Sequence, residues 1–217
     1  MVLLIDCESQ QVRQIEVLMN EKFFDLKREK QDRMINAGLK VFAKHGYRHA
    51  TTDDIVKEAG ISKGLLFHYF TNKVGVYVFL MDYSVRFLLL ELAGAVKKDT
   101  DNFFELYKQI EEGKLQVLKN YPYMQAFLDK AFEELCLEAL EECEEQKEAY
   151  RRKMDEYYGQ VADYQFRNQV TFEQMQELFK YIIKGITAEN IAQDTVQPEL
   201  MYHQICQYIE MMRGVYE

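Results

Sequence analysis

The chain has 217 residues, of which 48% are hydrophobic and 29% charged, and its formal net charge is −9. This composition is typical of a soluble globular protein and excludes a disordered one, and the longest apolar run, residues 76–81, is far too short to span a bilayer. Because only two prolines and ten glycines occur, few positions can break a helix, and an all-α fold is predicted.

The charge is unevenly distributed along the chain. Residues 22–73 carry eleven Lys or Arg against six Asp or Glu, a net charge of +5, whereas residues 74–217 carry 15 basic against 26 acidic side chains, a net charge of −11. Screening limits charge interactions to about 8–10 Å at physiological ionic strength, so a basic segment can attract a polyanion although the rest of the chain is acidic. The net charge therefore does not exclude nucleic acid as a partner.

The N-terminal residues and the cysteines indicate the cellular compartment of the protein. Residues 1–6 have no basic segment and only a short apolar run before an acid, so no signal peptide is predicted. The spacing of Cys7, Cys136, Cys143 and Cys206 matches neither CxxC nor a zinc finger. Cys136 and Cys143 could form a redox pair, although buried free thiols are favoured. We expect a reduced, cytoplasmic protein without a metal or cofactor.

Residues 1–26 are interpreted as an N-terminal extension, in which Met19 is an alternative natural start. The first strong helix begins near Lys27, where Ile35, Leu39 and Phe42 recur at i, i+4 and i+7. Gly46 follows two cationic residues and is predicted to end this helix in a left-handed cap.

Three polar residues predict the starts of the next helices. Thr51, Ser62 and Asn72 are each suited to accept a hydrogen bond from a backbone N–H of a first helical turn. They open predicted helices that end before Gly60, near residue 69 and near residue 97, respectively.

The remainder of the chain is also predicted to be helical. Further helices are expected over residues 102–119, 122–149, 150–165, 172–192 and 198–213, with a capping box at Thr171 and Pro198 in a first turn. Residues 133–148 hold eight glutamates and one lysine; a solvated helix face is favoured over a metal or peptide site.

Two short helices joined by a tight glycine-containing turn, and preceded by a longer helix, are typical of a helix-turn-helix unit. In such a unit the second helix enters the major groove of DNA while the first holds it at a fixed angle. The packing residues are predicted to be Ile55, Ala59, Ile61, Leu66 and Phe70. The outward residues are predicted to be Lys63, Gly64, Phe67, His68 and Tyr69.

The same segment resembles the DNA-binding domain of the TetR family. The resemblance rests on Phe-Ala-Lys-His-Gly-Tyr over residues 42–47, Thr-Thr-Asp-Asp-Ile over 51–55, Glu-Ala-Gly-Ile-Ser-Lys-Gly-Leu-Leu-Phe-His-Tyr-Phe over 58–70, and Asn-Lys at 72–73. It implies an all-α homodimeric repressor whose C-terminal body binds an effector. A DNA-binding domain over residues 27–73 and an effector-binding and dimerisation domain over residues 74–217 are expected.

The resemblance also implies roles for individual residues. Thr51 would cap its helix against a phosphate, and Lys63 would reach a base edge or phosphate, while Gly64 would let the backbone approach DNA closely. The residues implied to contact DNA are Thr51, Lys63, Gly64, Phe67, His68, Tyr69 and Lys73. The chain departs from the family at Val74 and Gly75, where acidic residues are usual.

The last two predicted helices carry apolar stripes that favour a dimer seam of four helices. The 3-4-3-4 spacing in residues 172–192 and a second stripe near the C-terminus supply its members; a wholly internal core is the alternative for both stripes. The predicted interface residues are Phe172, Met175, Phe179, Ile182, Ile186, Tyr202, Ile205, Ile209 and Met212.

The effector implied by the family resemblance is expected in a mostly apolar pocket of the body, which is rich in Tyr, Phe and Met. An apolar or aromatic effector is expected, and the acid excess favours a hydrophobic cation. The residues predicted to line the pocket are Tyr107, Tyr123, Met124, Phe127 and Tyr157.

Two rival functions remain. An enzyme is disfavoured because the sequence has no HExxH, serine elbow or glycine-rich phosphate loop, and His203 with Cys206 is only a weak metal signal. The other rival is a helical small-molecule-binding protein of the same fold that does not bind an operator; the intact outward residues, Lys63 and Lys73 above all, argue against it.

Overall fold

The computed structural model describes residues 22–194 and 196–217, and this part of the chain contains helices and no strand. It confirms the predicted all-α fold. The residues before Lys22, including Cys7 and Met19, lie outside the described part. In chain order the helices are α1 (Arg28–His49), α2 (Thr52–Ala59), α3 (Lys63–Tyr69), α4 (Lys73–Ala95), α5 (Phe103–Asn120), α6 (Met124–Phe132), α7 (Leu137–Gly159), a 3-10 turn (Arg167–Gln169), α8 (Phe172–Ala192) and α9 (Pro198–Tyr216).

The predicted capping residues set the boundaries of the short helices. The side chains of Thr51, Ser62 and Asn72 accept hydrogen bonds from the backbone N–H of the third residue of α2, α3 and α4, respectively. Gly46 has φ +69° and interrupts α1 near its end, and Gly60 has φ +64° and ends α2. Both glycines take the left-handed conformation that other residues rarely adopt.

Helices α1 to α3 pack around the buried side chains of Ile35, Leu39, Phe42, Ile55 and Leu66. We call this three-helix unit the head, and α4 to α9 the body. Residues just before α1 complete the core of the head, because the fully buried ring of Phe23 packs against Phe70 and Phe79, with centroids 5.5 and 5.0 Å away.

Helix α4 leads from the head into the centre of the body, where it packs on α5 and α7. The approach of α5 to α4 is close at Gly113, where an added Cβ would lie 2.9 Å from Leu92 Cδ2 and 3.3 Å from Leu92 Cα. Since Leu92 Cα belongs to the backbone, it cannot give way easily. Glycine at this position therefore sets the spacing of the two helices.

The predictions of a single helix over residues 122–149 and of a separate helix over residues 150–165 were wrong. The structure has α6 and a continuous α7, with a break at residues 133–136. Glu134 Oε1 accepts hydrogen bonds from the N–H groups of Leu135 and Cys136, and its Oε2 accepts one from the N–H of Tyr47 in the head. A long-range contact thus accompanies this break, which has neither proline nor glycine.

No helix within residues 22–194 and 196–217 is long and apolar enough to cross a membrane. Cys136, Cys143 and Cys206 are free thiols. Cys143 is buried, which raises the pKa of its thiol to about 12, so the predicted packing role fits it and a redox role does not. Within the same described residues, no group of three or more His, Cys, Asp and Glu side chains could hold a metal ion.

Candidate nucleic-acid interface

Helix α3 presents one face to solvent and buries the other in the head. Leu66 is 1% exposed, whereas Lys63, Gly64 and His68 are exposed and Phe67 is partly exposed. A seven-residue helix held by α2 at one side and free at the other has the form of a major-groove reading element. The predicted outward face is therefore available to a partner at four of its five positions.

The fifth position, Tyr69, was wrongly predicted to face outward. Its ring is 9% exposed and packs edge-on to Phe23 with centroids 5.7 Å apart, and it also meets the ring of His68 edge-on, with centroids 4.8 Å apart. Phe23 precedes the segment that matches the helix-turn-helix pattern, so that pattern gave no sign of this contact. In this structure Tyr69 supports His68 from within the head.

Gly64 lies on the exposed side of α3, where an added Cβ would meet no atom of the protein within 4 Å. Its φ is not in the left-handed region, so neither packing nor backbone conformation demands glycine here. Since glycine in a helix costs about 0.5–1 kcal/mol relative to alanine, the residue is locally unfavourable. A partner that comes close to the backbone of α3 would account for it.

Thr51 and Lys63 are both exposed, and each contacts one aspartate of α2. The Thr51 hydroxyl donates to Asp54 Oδ2 at 2.6 Å while it caps α2. Lys63 Nζ lies 2.8 Å from Asp53 Oδ1 in an ion pair whose side chains are 51% and 71% exposed. Such surface pairs contribute little, so the ammonium group of Lys63 can exchange Asp53 for a phosphate at small cost.

The structure does not leave Lys73 free for the phosphate contact that the family resemblance implied. Its Nζ donates hydrogen bonds to the carbonyl oxygens of Tyr47 and Ala50, at 3.0 and 3.3 Å, and lies 4.3 Å from the centroid of the Tyr47 ring. These contacts hold the turn between α1 and α2. We assign Lys73 a positioning role in the free protein.

Lys63 has an exposed ion pair, whereas Lys73 is bonded to backbone carbonyls, so replacing each by methionine gives a matched pair of variants that lose the same charge. Lys63→Met should reduce the steepness with which log K for DNA association falls against log salt by about one, because one phosphate contact is lost. Lys73→Met should leave that slope unchanged and lower the free energy of unfolding by about 1–3 kcal/mol, because two carbonyls lose their donor. Salt-dependent fluorescence anisotropy on DNA and urea unfolding measure the two effects; equal slopes for both variants would contradict the assignment.

The end of α1 is also held by the body. The Tyr47 hydroxyl donates to Glu138 Oε2 at 2.6 Å, and Lys130 Nζ donates to the carbonyl oxygen of Lys44 at 3.0 Å. Burial and the hydrogen bond to Glu138 raise the pKa of Tyr47, so its hydroxyl stays protonated and donates. Two members of the acidic run at 133–148, Glu134 and Glu138, thus contact the head, contrary to the predicted solvated face.

A second polar link joins the end of α8 to the head. Asp194 lies 2.8 Å from Lys44 Nζ and accepts a hydrogen bond from the Tyr123 hydroxyl, and these contacts lower the pKa of its carboxyl to about 2. Lys40 Nζ lies 3.9 Å from Asp194 and donates to Glu58 of α2 at 2.8 Å. Sequence reasoning missed these contacts, because nothing local sets Lys40, Lys44 and Asp194 apart from other surface charges.

The five residues predicted to line an effector pocket are not brought together. Phe127 packs against Phe42 and Tyr77 at the junction of head and body, with centroids 6.2 and 5.3 Å apart, while Tyr107 packs against Phe179 at 4.8 Å. Met124 is buried and Tyr123 faces Asp194 near the surface. Tyr157 is buried, and its hydroxyl has no hydrogen-bond partner among the described residues.

The stripes predicted to form the dimer seam are largely turned inward. Five of the nine residues are buried in the protein's own core: Met175, Phe179, Ile186, Ile205 and Ile209. For these five the internal-core alternative was correct, because α8 and α9 cover the rest of the body with the same stripes. Phe172, Ile182, Tyr202 and Met212 are partly exposed and remain predicted interface residues.

Comparisons with known proteins agree with this geometry. Residues 34–78 match the family model described as bacterial regulatory proteins, tetR family. The transcriptional activator FasR of Mycolicibacterium smegmatis, an HTH-type protein, is 30% identical over 83 residues, which are 38% of this chain and 38% of that protein. The chain thus matches well under two thirds of that relative.

Solved structures share the fold over nearly the whole chain. A TetR family transcriptional regulator from Chloroflexus aurantiacus has a TM-score of 0.59 at 21% identity, covering 91% of this chain and 98% of the other. The fatty acid degradation regulator FadR from Bacillus halodurans has a TM-score of 0.55 at 19% identity, covering 85% and 95%.

The fold and the exposed α3 together define a helix-turn-helix unit. The helix-turn-helix segment matches the tetR family of bacterial regulatory proteins over residues 34–78, in agreement with the resemblance that the motif indicated. The matching proteins are named as transcriptional regulators rather than enzymes, in agreement with the prediction of a non-enzymatic protein.

Proposed function

We propose that the protein is a homodimeric, ligand-responsive repressor that binds a palindromic operator through α3. The observation that carries this proposal is the outer face of α3, where an exposed lysine and histidine flank a glycine that the fold does not require. The positive charge of residues 22–73 supports it, because phosphate attraction supplies much of DNA affinity.

An exposed apolar stripe on α9 supports the homodimer. Leu200, Tyr208, Met211 and Val215 are 58%, 37%, 51% and 50% exposed, and their spacing places them on one face of the helix. Monomeric proteins rarely leave such a face in water. We therefore place the centre of the proposed interface on this exposed stripe of α9 and not on the buried stripe. Tyr202 and Met212 lie at its flank.

The contacts between head and body support a ligand response. Glu134, Glu138 and Lys130 of the body hold the end of α1, and Phe127 packs against Phe42 of the same helix. A ligand that shifts α6 or α7 would therefore move α1, and with it the separation of the two α3 helices in a dimer. A coupling of about 1–3 kcal/mol between the sites changes DNA affinity 5- to 150-fold.

Selection of bound sequences from a random DNA library tests the proposal. The selected DNA should contain an inverted repeat whose half-sites are centred about one helical turn, or a multiple of it, apart. A promoter carrying that repeat should then show less transcription in vitro when the protein is added; more transcription would instead make the protein an activator. Failure to enrich any sequence would favour a ligand-binding protein without an operator.

A further inference from the structure

A groove of about 480 Å³ lies where the head meets the body. Lys44 and Ala43 of α1 form its wall on the head side, and α6 and α8 form the remaining walls. Much of the lining consists of small apolar side chains, namely Ala43, Ala126, Ala188 and Ala192. These small residues leave room for the apolar part of a small molecule.

The cations around this groove already have partners. Lys44 pairs with Asp194 at 2.8 Å, Lys184 pairs with Glu133, and Lys130 donates to a backbone carbonyl at 3.0 Å. An anionic ligand would have to displace one of these contacts before it could use the cation.

Asp129 of α6 is in the opposite situation. Its carboxylate accepts a hydrogen bond from Gln125 Nε2 at 2.7 Å, and no cation lies within 4.0 Å of it in residues 22–194 and 196–217. Lys114 and Lys184, the two cations that act on its carboxyl group, are paired with Glu111 at 2.7 Å and with Glu133, respectively. Asp129 thus lines the groove as a carboxylate without an ion-pair partner.

Partial burial makes this arrangement unfavourable. Removal from water raises the pKa of Asp129, although Gln125, Lys114 and Lys184 each lower it in part. A partly buried carboxylate without a cation is unfavourable, and a cation placed beside it offsets that cost. Of the two carboxylates that line the groove, Glu133 is paired with Lys184, whereas Asp129 has no cation beside it among the described residues.

We propose that this groove binds an organic cation with an apolar chain, whose ammonium group lies against the Asp129 carboxylate. The inference rests on the proposed ligand response and gives it a site and a ligand class. The occupant would contact α1 on one side and α6 and α8 on the other. Its binding would therefore favour one position of the head relative to the body.

Three compounds with the same apolar chain and different head groups test the ligand class: decylammonium, decanol and decanoate. Calorimetric titration of the DNA-free protein should give decylammonium a Kd at least about tenfold below that of decanol, a difference of about 1.4 kcal/mol. Decanoate should bind most weakly. Equal affinities, or a preference for decanoate, would overturn the proposal.

Asp129→Asn keeps the size of the side chain and its hydrogen bond with Gln125. It should abolish the preference for decylammonium and leave decanol binding unchanged, whereas Asp155→Asn, at an exposed position of α7, should change neither. Retention of the preference in Asp129→Asn would reject the site.

A second variant does not depend on Asp129. Ala188 is exposed at the edge of the groove, so the Ala188→Met protein should fold normally. It should bind decylammonium more weakly, because the longer side chain narrows the groove. Wild-type decylammonium affinity in this variant would also reject the site. Operator affinity of the ligand-free protein is measured separately, so a protein that binds the cation but no DNA would reject the proposed function alone.

Discussion

Met211→Glu should convert the protein from a dimer to a monomer and weaken operator binding about 100-fold or more. Met211 lies in the middle of the exposed stripe of α9, and it is 51% exposed in the single chain. In a two-fold symmetric interface the substitution places a carboxylate on both sides of the same contact, and burying two like charges is unfavourable.

The loss of DNA affinity follows from the loss of the second half-site. When two α3 helices are linked in one dimer, the second binds at a high effective concentration, which increases the overall affinity by about 10²–10⁴-fold. A monomer keeps only the contacts of one half-site. The expected effect is therefore much larger than that of losing one contact with DNA.

Sedimentation velocity and fluorescence anisotropy on the selected operator measure the two effects. Leu90→Glu is the matched control, since Leu90 is 68% exposed on α4 and lies outside the stripe. It should leave both the dimer and the operator affinity unchanged. A wild-type protein that sediments as a monomer, or a dimeric Met211→Glu protein, would contradict the proposed interface.

The head could be predicted from the sequence because local interactions define it. Thr51, Ser62 and Asn72 each cap a helix through the residue three positions away, and Gly46 and Gly60 supply the left-handed conformation at the helix ends. Such signals are contained within a few residues of chain. For this reason the starts of α2, α3 and α4 were predicted correctly.

The break between α6 and α7 could not be predicted in this way. It coincides with contacts between Glu134 and Tyr47, which are 87 positions apart in the chain. Glutamate is a good helix former, so residues 133–148 favour one uninterrupted helix when they are considered alone. The position of Glu134 against the head overrides that preference.

The faces of α8 and α9 show a different limit. Both helices carry apolar residues on more than one side, and periodicity does not tell which side meets the protein's own core. The regular stripe of Met175, Phe179 and Ile186 is the inner one. Asp129 was missed for a similar reason: one acid among the apolar residues of α6 resembles a surface position until the groove beside it is known.

Gly64→Leu should weaken binding to the selected operator about 100-fold or more without destabilising the protein. The substituted side chain enters open space in the free protein, since no atom lies within 4 Å of a Cβ at this position. Leucine also favours the helix more than glycine does. The free energy of unfolding should therefore stay the same or rise by up to about 1 kcal/mol.

Operator affinity of Gly64→Leu, measured beside Gly94→Leu, tests most directly whether α3 is the surface that meets DNA. Gly94 is an exposed glycine of α4 with equally open surroundings, so both variants add the same side chain to a helix surface. We predict that both proteins are at least as stable as the wild type, that Gly94→Leu binds the operator with unchanged affinity, and that Gly64→Leu does not bind it specifically. Wild-type operator affinity in a folded Gly64→Leu protein would contradict the account.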